Sequence, residues 1–148
     1  MISKVLVPTD GSKQAMKSVE YSVNLAKNLS ATLTLLSVID KSAFILKTVP
    51  SVPETPSLME PMEDYLRRAA EAYLGKAEEL CRKQQVKYER VIRTGHPVEE
   101  IIKEAKKSKV DLIVIGSHGK SALKAAVIGS VTFGVINKDS KIPVLVVR

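Results

Sequence analysis

The chain has one cysteine, no tryptophan, two phenylalanines and two histidines, and these shortages exclude several architectures. Cys81 has no partner within the chain, so a disulfide framework is ruled out. Two histidines and one cysteine give no recognisable zinc site. Aromatic residues make up only 4% of the sequence, and no basic strand is interleaved with aromatics of the kind that stacks bases, so nucleic acid is not the expected partner. No apolar run approaches the roughly 20 residues that span a bilayer. Because residues 1–7 already read as a strand, no signal peptide is expected, and the default is a soluble cytoplasmic protein without a membrane partner.

What is present is a chain of 148 residues with 45% hydrophobic content, mostly aliphatic. That length suits one domain, which buries about two-thirds of the surface its unfolded chain exposes. The composition argues against disorder or a collagen-like fibre. The net charge of +7 is lopsided: residues 1–74 carry eight basic and eight acidic side chains, whereas residues 75–148 carry fifteen and eight. Such a bias attracts anions without choosing among nucleic acid, a membrane surface and a phosphorylated small molecule.

Residues 3–7 and 33–39 are apolar, β-rich runs, and Met16, Val19, Val23, Ala26 and Leu29 between them recur at helical spacing. The alternation continues with a long helix marked by Leu66, Ala70, Tyr73, Ala77 and Leu80. A strand at 86–93, a helix at 98–107, a strand at 112–115, a helix at 130–138 and a strand at 144–147 follow. Continuous runs such as Leu112-Ile-Val-Ile115 suit parallel strands covered on both faces. Strict alternation with right-handed crossovers predicts a single α/β domain over 1–148, an open, doubly wound, Rossmann-like parallel sheet with helices on both faces. Ligands then bind beyond the carboxyl ends of the strands, in the loops after strands one, two and four.

Residues 41–62 break the pattern. Pro50, Pro53, Pro56 and Pro61 argue against a continuous helix, while Phe44, Ile45, Leu46, Val49, Val52, Leu58 and Met59 are too apolar for a solvated linker. The expectation is a long, lid-like insertion folded over a neighbouring surface. In the helix that follows His96, Pro97 suits the first position, Glu99 and Glu100 the first turn, and Lys103, Lys106 and Lys107 the far end. That order complements the helix dipole and gives the lysines a structural role.

The most informative segment is Gly116-Ser117-His118-Gly119 after the fourth strand, then nine residues, then Gly129-Ser130 opening a helix. Glycines let backbone approach an anion with no Cβ in the way, and a helix start supplies unpaired N–H donors. Read one residue at a time, Gly116 and Gly119 turn the chain and Ser130 caps a helix; together, at a switch point, they favour binding. Two other phosphate loops fail: a P-loop ending at Gly119-Lys120-Ser121 needs glycine where Val114 stands, and Pro8-Thr9-Asp10-Gly11-Ser12 is no dinucleotide fingerprint. Asp10 faces the same crevice, either as a ligand for ribose hydroxyls or a metal, or as a turn residue beside Gly11. A phospho-receiver domain would end its third strand in aspartate, where this one ends Arg93-Thr94-Gly95. His118 has no evident Ser-His-Asp set, His96 reads as a cap, and Cys81 falls on the apolar stripe of the long helix.

The runs Val5-Leu-Val-Pro-Thr-Asp-Gly-Ser12, Gly116-Ser-His-Gly-x9-Gly129-Ser130 and Pro143-Val-Leu-Val-Val147 resemble the universal stress protein family over the whole chain. The spaced glycine element is the pattern of its ATP-binding branch. The resemblance implies five parallel strands in the order 3-2-1-4-5 and a homodimer formed through the last strand, Pro143 to Val147. It implies an adenosine-contacting first loop at Pro8, Thr9 and Asp10, and an adenine contact at Val38. Gly116 and Gly119 are then ribose and phosphate contacts, and Gly129, Ser130 and Val131 a phosphate-binding helix start, with Ser117, His118 and Thr132 nearby. The ligand implied is ATP, with or without Mg2+ or Mn2+. The expected role is a stress-response or signalling module with no catalytic residue named; the alternative is a nucleotide-dependent enzyme, a slow ATPase or a transferase. The proline-rich segment and Gly134 inside the last helix depart from the family pattern.

Overall fold

A computed structural model describes residues 1–42, 56–119, 128–138 and 140–148, with backbone alone for residues 56–60. Strand β1 is Lys4–Pro8, helix α1 Lys13–Leu29, β2 Thr32–Ile39, α2 Pro56–Gln84, β3 Tyr88–Thr94, α3 Pro97–Lys107, β4 Leu112–Gly116, α4 Ser130–Asn137 and β5 Val144–Val147. All four ladders are parallel, and the strand order is β3-β2-β1-β4-β5. This is the doubly wound, Rossmann-like sheet expected from the alternation.

Side chains of successive strand residues alternate between two aliphatic cores. Val5, Val7, Leu33, Leu35, Leu112 and Val114 face α1 and α2, where Val19, Val23, Leu74, Ala77 and Cys81 meet them. Leu6, Leu36, Ile113 and Ile115 face α3 and α4, against Val98, Ile101, Ile102, Ala105 and Val135. Burial pushes the Cys81 thiol up to about 11, with the Glu78 charge adding to it, so this cysteine is an inert part of the core.

Three helix-to-strand turns are built alike. Ala31 N–H donates to Ala26 O at 2.9 Å, Val86 N–H to Cys81 O at 2.9 Å and Val110 N–H to Ala105 O at 3.1 Å. The residue before each donor has a left-handed backbone: Ser30 at φ 54, Gln85 at φ 57 and Lys109 at φ 53. This is the Schellman ending, in which the residue after the left-handed one is apolar and buried. It corrects the expected start of the third strand, because Val86 closes α2 and the strand begins at Tyr88.

The proline-rich segment needs a second correction. Residues 43–55, and with them Pro50, Pro53 and most of the expected lid, lie outside the described residues. Pro56 opens α2, and Pro61 lies inside that helix, where a break was expected. Proline is at home in a first turn; at Pro61 its ring stands on the exposed face while Ala70, Leu74, Ala77 and Cys81 anchor the turns beyond. Gly134 has a packing reason, since a Cβ there would sit 2.6 Å from Val98 Cγ2, so the missing side chain lets α4 close on α3.

Candidate functional site

The central strand β1 has β2 on one side and β4 on the other, with crossovers leaving in opposite directions. Its ladder with β2 runs from Lys4 to Pro8, whereas its ladder with β4 holds only Val5 and Leu6. The last residues of β1 therefore pair on one side alone, and a crevice opens between the carboxyl ends of β1 and β4, where ligands of such sheets bind.

One wall is the turn after β1. Thr9 N–H donates to Leu36 O at 2.8 Å, and the buried Thr9 Oγ1 accepts from Gly11 N–H at 3.2 Å. Asp10 Oδ1 accepts from Ser12 N–H at 2.9 Å, and Ser12 Oγ caps α1 by accepting from Ala15 N–H at 3.1 Å. Gly11 takes φ +76, which favours glycine. One Asp10 oxygen thus holds the turn. The other is directed across the crevice, where a Cβ on Gly119 would lie 2.6 Å from Asp10 Oδ2.

The other wall is the loop after β4. Gly116 is buried, and a Cβ there would stand 2.9 Å from Gln14 O, so its smallness lets the first turn of α1 seat on β4. Ser117 N–H donates to Val147 O at 2.8 Å, and Ser117 Oγ lies 2.9 Å from His118 Nδ1. Ser117 O accepts from Gly129 N–H at 2.7 Å, and Thr132 Oγ1 donates to Gly116 O at 2.7 Å. These two bonds pin the start of α4 to the loop. Gly129 is the residue that caps α4, with no side-chain hydrogen bond; Ser130 is the first helical residue. A Cβ on Gly129 would be 3.3 Å from His118 Cα and 3.4 Å from Ser117 O.

The first turn of α4 carries no carboxylate, unlike that of α3 with Glu99 and Glu100. Among the described residues, no side chain caps this helix start and its own first turn brings no anion to neutralise the dipole. The structure thus brings Thr9, Asp10, Ser117, His118, Gly119, Gly129, Ser130 and Thr132 around one crevice. Pro8 ends β1 at its floor; Val131 turns its side chain to the α3 side of the core. Val38, half-buried near the end of β2, packs on that same side and stands beside Arg93 of β3.

The family model of the universal stress proteins matches residues 1–148. The chain belongs to the universal stress protein family. It is 32% identical to universal stress protein MJ0531 of Methanocaldococcus jannaschii, over all of this chain and 83% of that protein. It is 37% identical to universal stress protein MJ0577 of the same organism, over all of this chain and 96% of that protein. The solved structure of MJ0577 superposes with a TM-score of 0.85, over 99% of this chain and 96% of that one, at 32% identity. A family member from Archaeoglobus fulgidus, solved in complex with dAMP, shares the fold with a TM-score of 0.69 at 19% identity, covering 100% and 98% of the two chains.

Two features of this universal stress protein escaped the sequence. Glu104, 3% exposed, accepts from Arg93 Nε at 2.8 Å and Nη2 at 2.7 Å, and from Ser108 Oγ at 2.7 Å. Burial would raise its pKa, but the Ser108 and Arg93 hydrogen bonds and the guanidinium charge outweigh that and hold the carboxyl below the usual range. A signal was present: Glu104 falls three residues after Ile101, on the apolar stripe of α3. Tyr73 packs on Gly11, and no local pattern announced that long-range contact. Among the described residues no three metal-ligating side chains cluster, and no helix is long and apolar enough to cross a membrane.

Proposed function

We propose that this chain binds ATP in the β1/β4 crevice and acts as a dimeric stress-response module whose output depends on nucleotide occupancy. The observation that carries the reading is the start of α4: among the described residues, a helix N-terminus with no side-chain cap and no carboxylate in its first turn, pinned by two hydrogen bonds to a glycine loop at the switch point. The phosphates would be held by Gly119 and by the N–H groups of Ser130, Val131 and Thr132. The nucleoside would lie toward Pro8, Thr9 and Asp10, with adenine near Val38. Asp10 is the carboxylate that would meet a Mg2+ or Mn2+ arriving on the phosphates. The A. fulgidus relative solved with dAMP is consistent with an adenine nucleotide. The expected compartment is the cytoplasm.

The dimer reading rests on the contrast between the two sheet edges. Edge strand β3 exposes charge: Arg90 pairs with Glu71 and, at 3.3 Å, with Glu78 on α2, while Arg93 pairs with Glu104 on α3. Such edges resist strand addition. Edge strand β5 is Val-Leu-Val-Val, and α4 beside it exposes Phe133 at 62% and Ile136 at 45%. A second copy of this chain would cover that face through an isologous contact.

The test is mass spectrometry of ligand released from the purified protein, with calorimetric titration of ATP into stripped protein. Co-purified adenine nucleotide or saturable ATP binding is expected. Absence of both overturns the reading. Conversion of bound ATP into product during prolonged incubation would favour the enzyme alternative.

A further inference from the structure

We propose that Tyr73 of α2 is a positioning residue for the nucleotide loop, its ring filling from outside the space that a side chain at position 11 would fill from within. A Cβ on Gly11 would collide with Cδ1 and Cε1 of the Tyr73 ring and stand 2.9 Å from its Cγ. Gly11 lacks a side chain for two separate reasons: its φ of +76 and the ring seated on it. Both bear on the turn whose hydrogen bonds fix Thr9 and Asp10.

Thr9 N–H anchors the turn to Leu36 O at 2.8 Å, local hydrogen bonds of 3.2 and 2.9 Å shape it, and the Ser12 cap joins it to α1. Tyr73 is half-buried, one residue before Leu74, which is fully buried in the core between α2 and the sheet. The ring is thus mounted on a helix packed into the core and pressed on the turn that carries Asp10. Ten residues earlier on α2, Glu63 pairs with Lys41, just beyond the end of β2. Helix α2 therefore touches the chain beyond both strands whose ends form the nucleoside side of the site. A shift of α2 relative to the sheet is transmitted to Asp10 through the ring, giving this universal stress protein a route between the helix that follows its proline-rich segment and nucleotide affinity.

The inference rests on the nucleotide reading for its consequence but not for its geometry, so the experiment has two readouts. Hydrogen exchange at the Gly11 and Ser12 amides reports the turn with no ligand present; titration with ATP reports the site. Tyr73→Ala should speed exchange at both amides and weaken ATP binding about tenfold, the size of coupling typical of residues in direct contact. Tyr73→Phe, which keeps the ring, should stay closer to the wild type than Tyr73→Ala in both. Gly11→Ala should also weaken binding, and adding Tyr73→Ala to it should cost less than the product of the two single effects, because the clash has gone while the φ strain remains. If Tyr73→Ala fails to fold, Tyr73→Leu serves, with the same direction expected. Unchanged exchange at Gly11 and Ser12 in the folded variant overturns the positioning role. Faster exchange with unchanged ATP affinity overturns its link to the site. A wild type that binds no ATP overturns the nucleotide reading and leaves the exchange result to decide the role of the ring.

Discussion

Replacing Gly129 with valine tests the phosphate cradle directly. A Cβ at this position would lie 3.3 Å from His118 Cα and 3.4 Å from Ser117 O, so alanine needs the loop to give by a few tenths of an ångström. Valine adds two methyl groups against backbone that Gly129 itself holds through its 2.7 Å bond to Ser117 O. The loop must move away from the start of α4, and the N–H groups of Ser130 and Val131 lose their alignment with any anion in the crevice. A hydrogen bond to a charged group contributes about 1.5–3 kcal/mol; losing two at the lower end is about 3 kcal/mol, or roughly a hundredfold in affinity. Adenosine carries no phosphate, so its affinity should change less than about threefold by the same arithmetic. The assay is calorimetric titration of ATP and adenosine into folded Gly129→Ala and Gly129→Val at fixed magnesium and salt. Equal losses for ATP and adenosine would mean that the loop shapes the nucleoside pocket, and unchanged ATP affinity in the valine variant would refute the cradle.

Leu145 packs into the α1 side of the core, so lysine there perturbs the fold together with any dimer. The carbonyls of Pro143 and Val147 point to β4, accepting from Ile113 and Ser117 N–H at 2.9 and 2.8 Å, which turns the peptide groups of Val144 and Val146 outward. Val146→Pro should therefore yield monomer in light scattering with the circular dichroism of the fold retained, and an unchanged dimer would sink the strand-to-strand contact. Glu104→Gln leaves Arg93 without its counter-charge; as the guanidinium is a third exposed, the cost should be about 2 kcal/mol, below the 3–5 of a fully buried pair. Because the folded-state pKa of Glu104 is depressed, its contribution is full above the unfolded value of about 4.3 and fades as pH falls through the lower folded one. Urea midpoints of wild type and variant should converge as pH falls below about 4.3, and a constant gap would refute the assignment. Gln85→Gly relieves a left-handed residue at an exposed turn and should add about 0.5–1 kcal/mol, a rise of roughly 1–4 °C in Tm; a lowered Tm would count against the turn geometry.

The fold was legible because strands and helices differ in period and because each apolar run had to be covered on both faces. Leu112–Ile115 and Val144–Val147 could hardly be anything but strands in a two-sided sheet. The glycine loop was legible because Gly116, Gly119 and Gly129 fall within one strand, turn and helix start. What failed was local punctuation. Val86 lies just ahead of the Tyr88–Thr94 strand, but a left-handed Gln85 makes it the closing residue of α2, and a non-glycine residue in that conformation leaves no mark in composition. At Pro61 local propensity argues for a break, whereas α2 is held by packing more than two turns further on. The Tyr73 contact was out of reach for the same reason: residues 11 and 73 meet only after the sheet has formed.

The four glycines that the sequence placed near the last crossover do different work, and what a Cβ would meet separates them. At Gly116 and Gly134 it would meet Gln14 O at 2.9 Å and Val98 Cγ2 at 2.6 Å; those positions are small so that α1 can seat on β4 and α4 on α3. At Gly129 it would meet the backbone of the loop, so that glycine serves the pinning of loop to helix and through it the cradle. Only at Gly119 is the near neighbour a charged side chain from the opposite wall, with Asp10 Oδ2 at 2.6 Å. A carboxylate moves more readily than packed backbone, so Gly119→Ala should fold as well as the wild type, whereas Gly116→Ala and Gly134→Ala must shift whole helices and lose stability. The spacing pattern thus combines positions that let elements pack closely with one, Gly119, whose near neighbour is a carboxylate on the opposite wall.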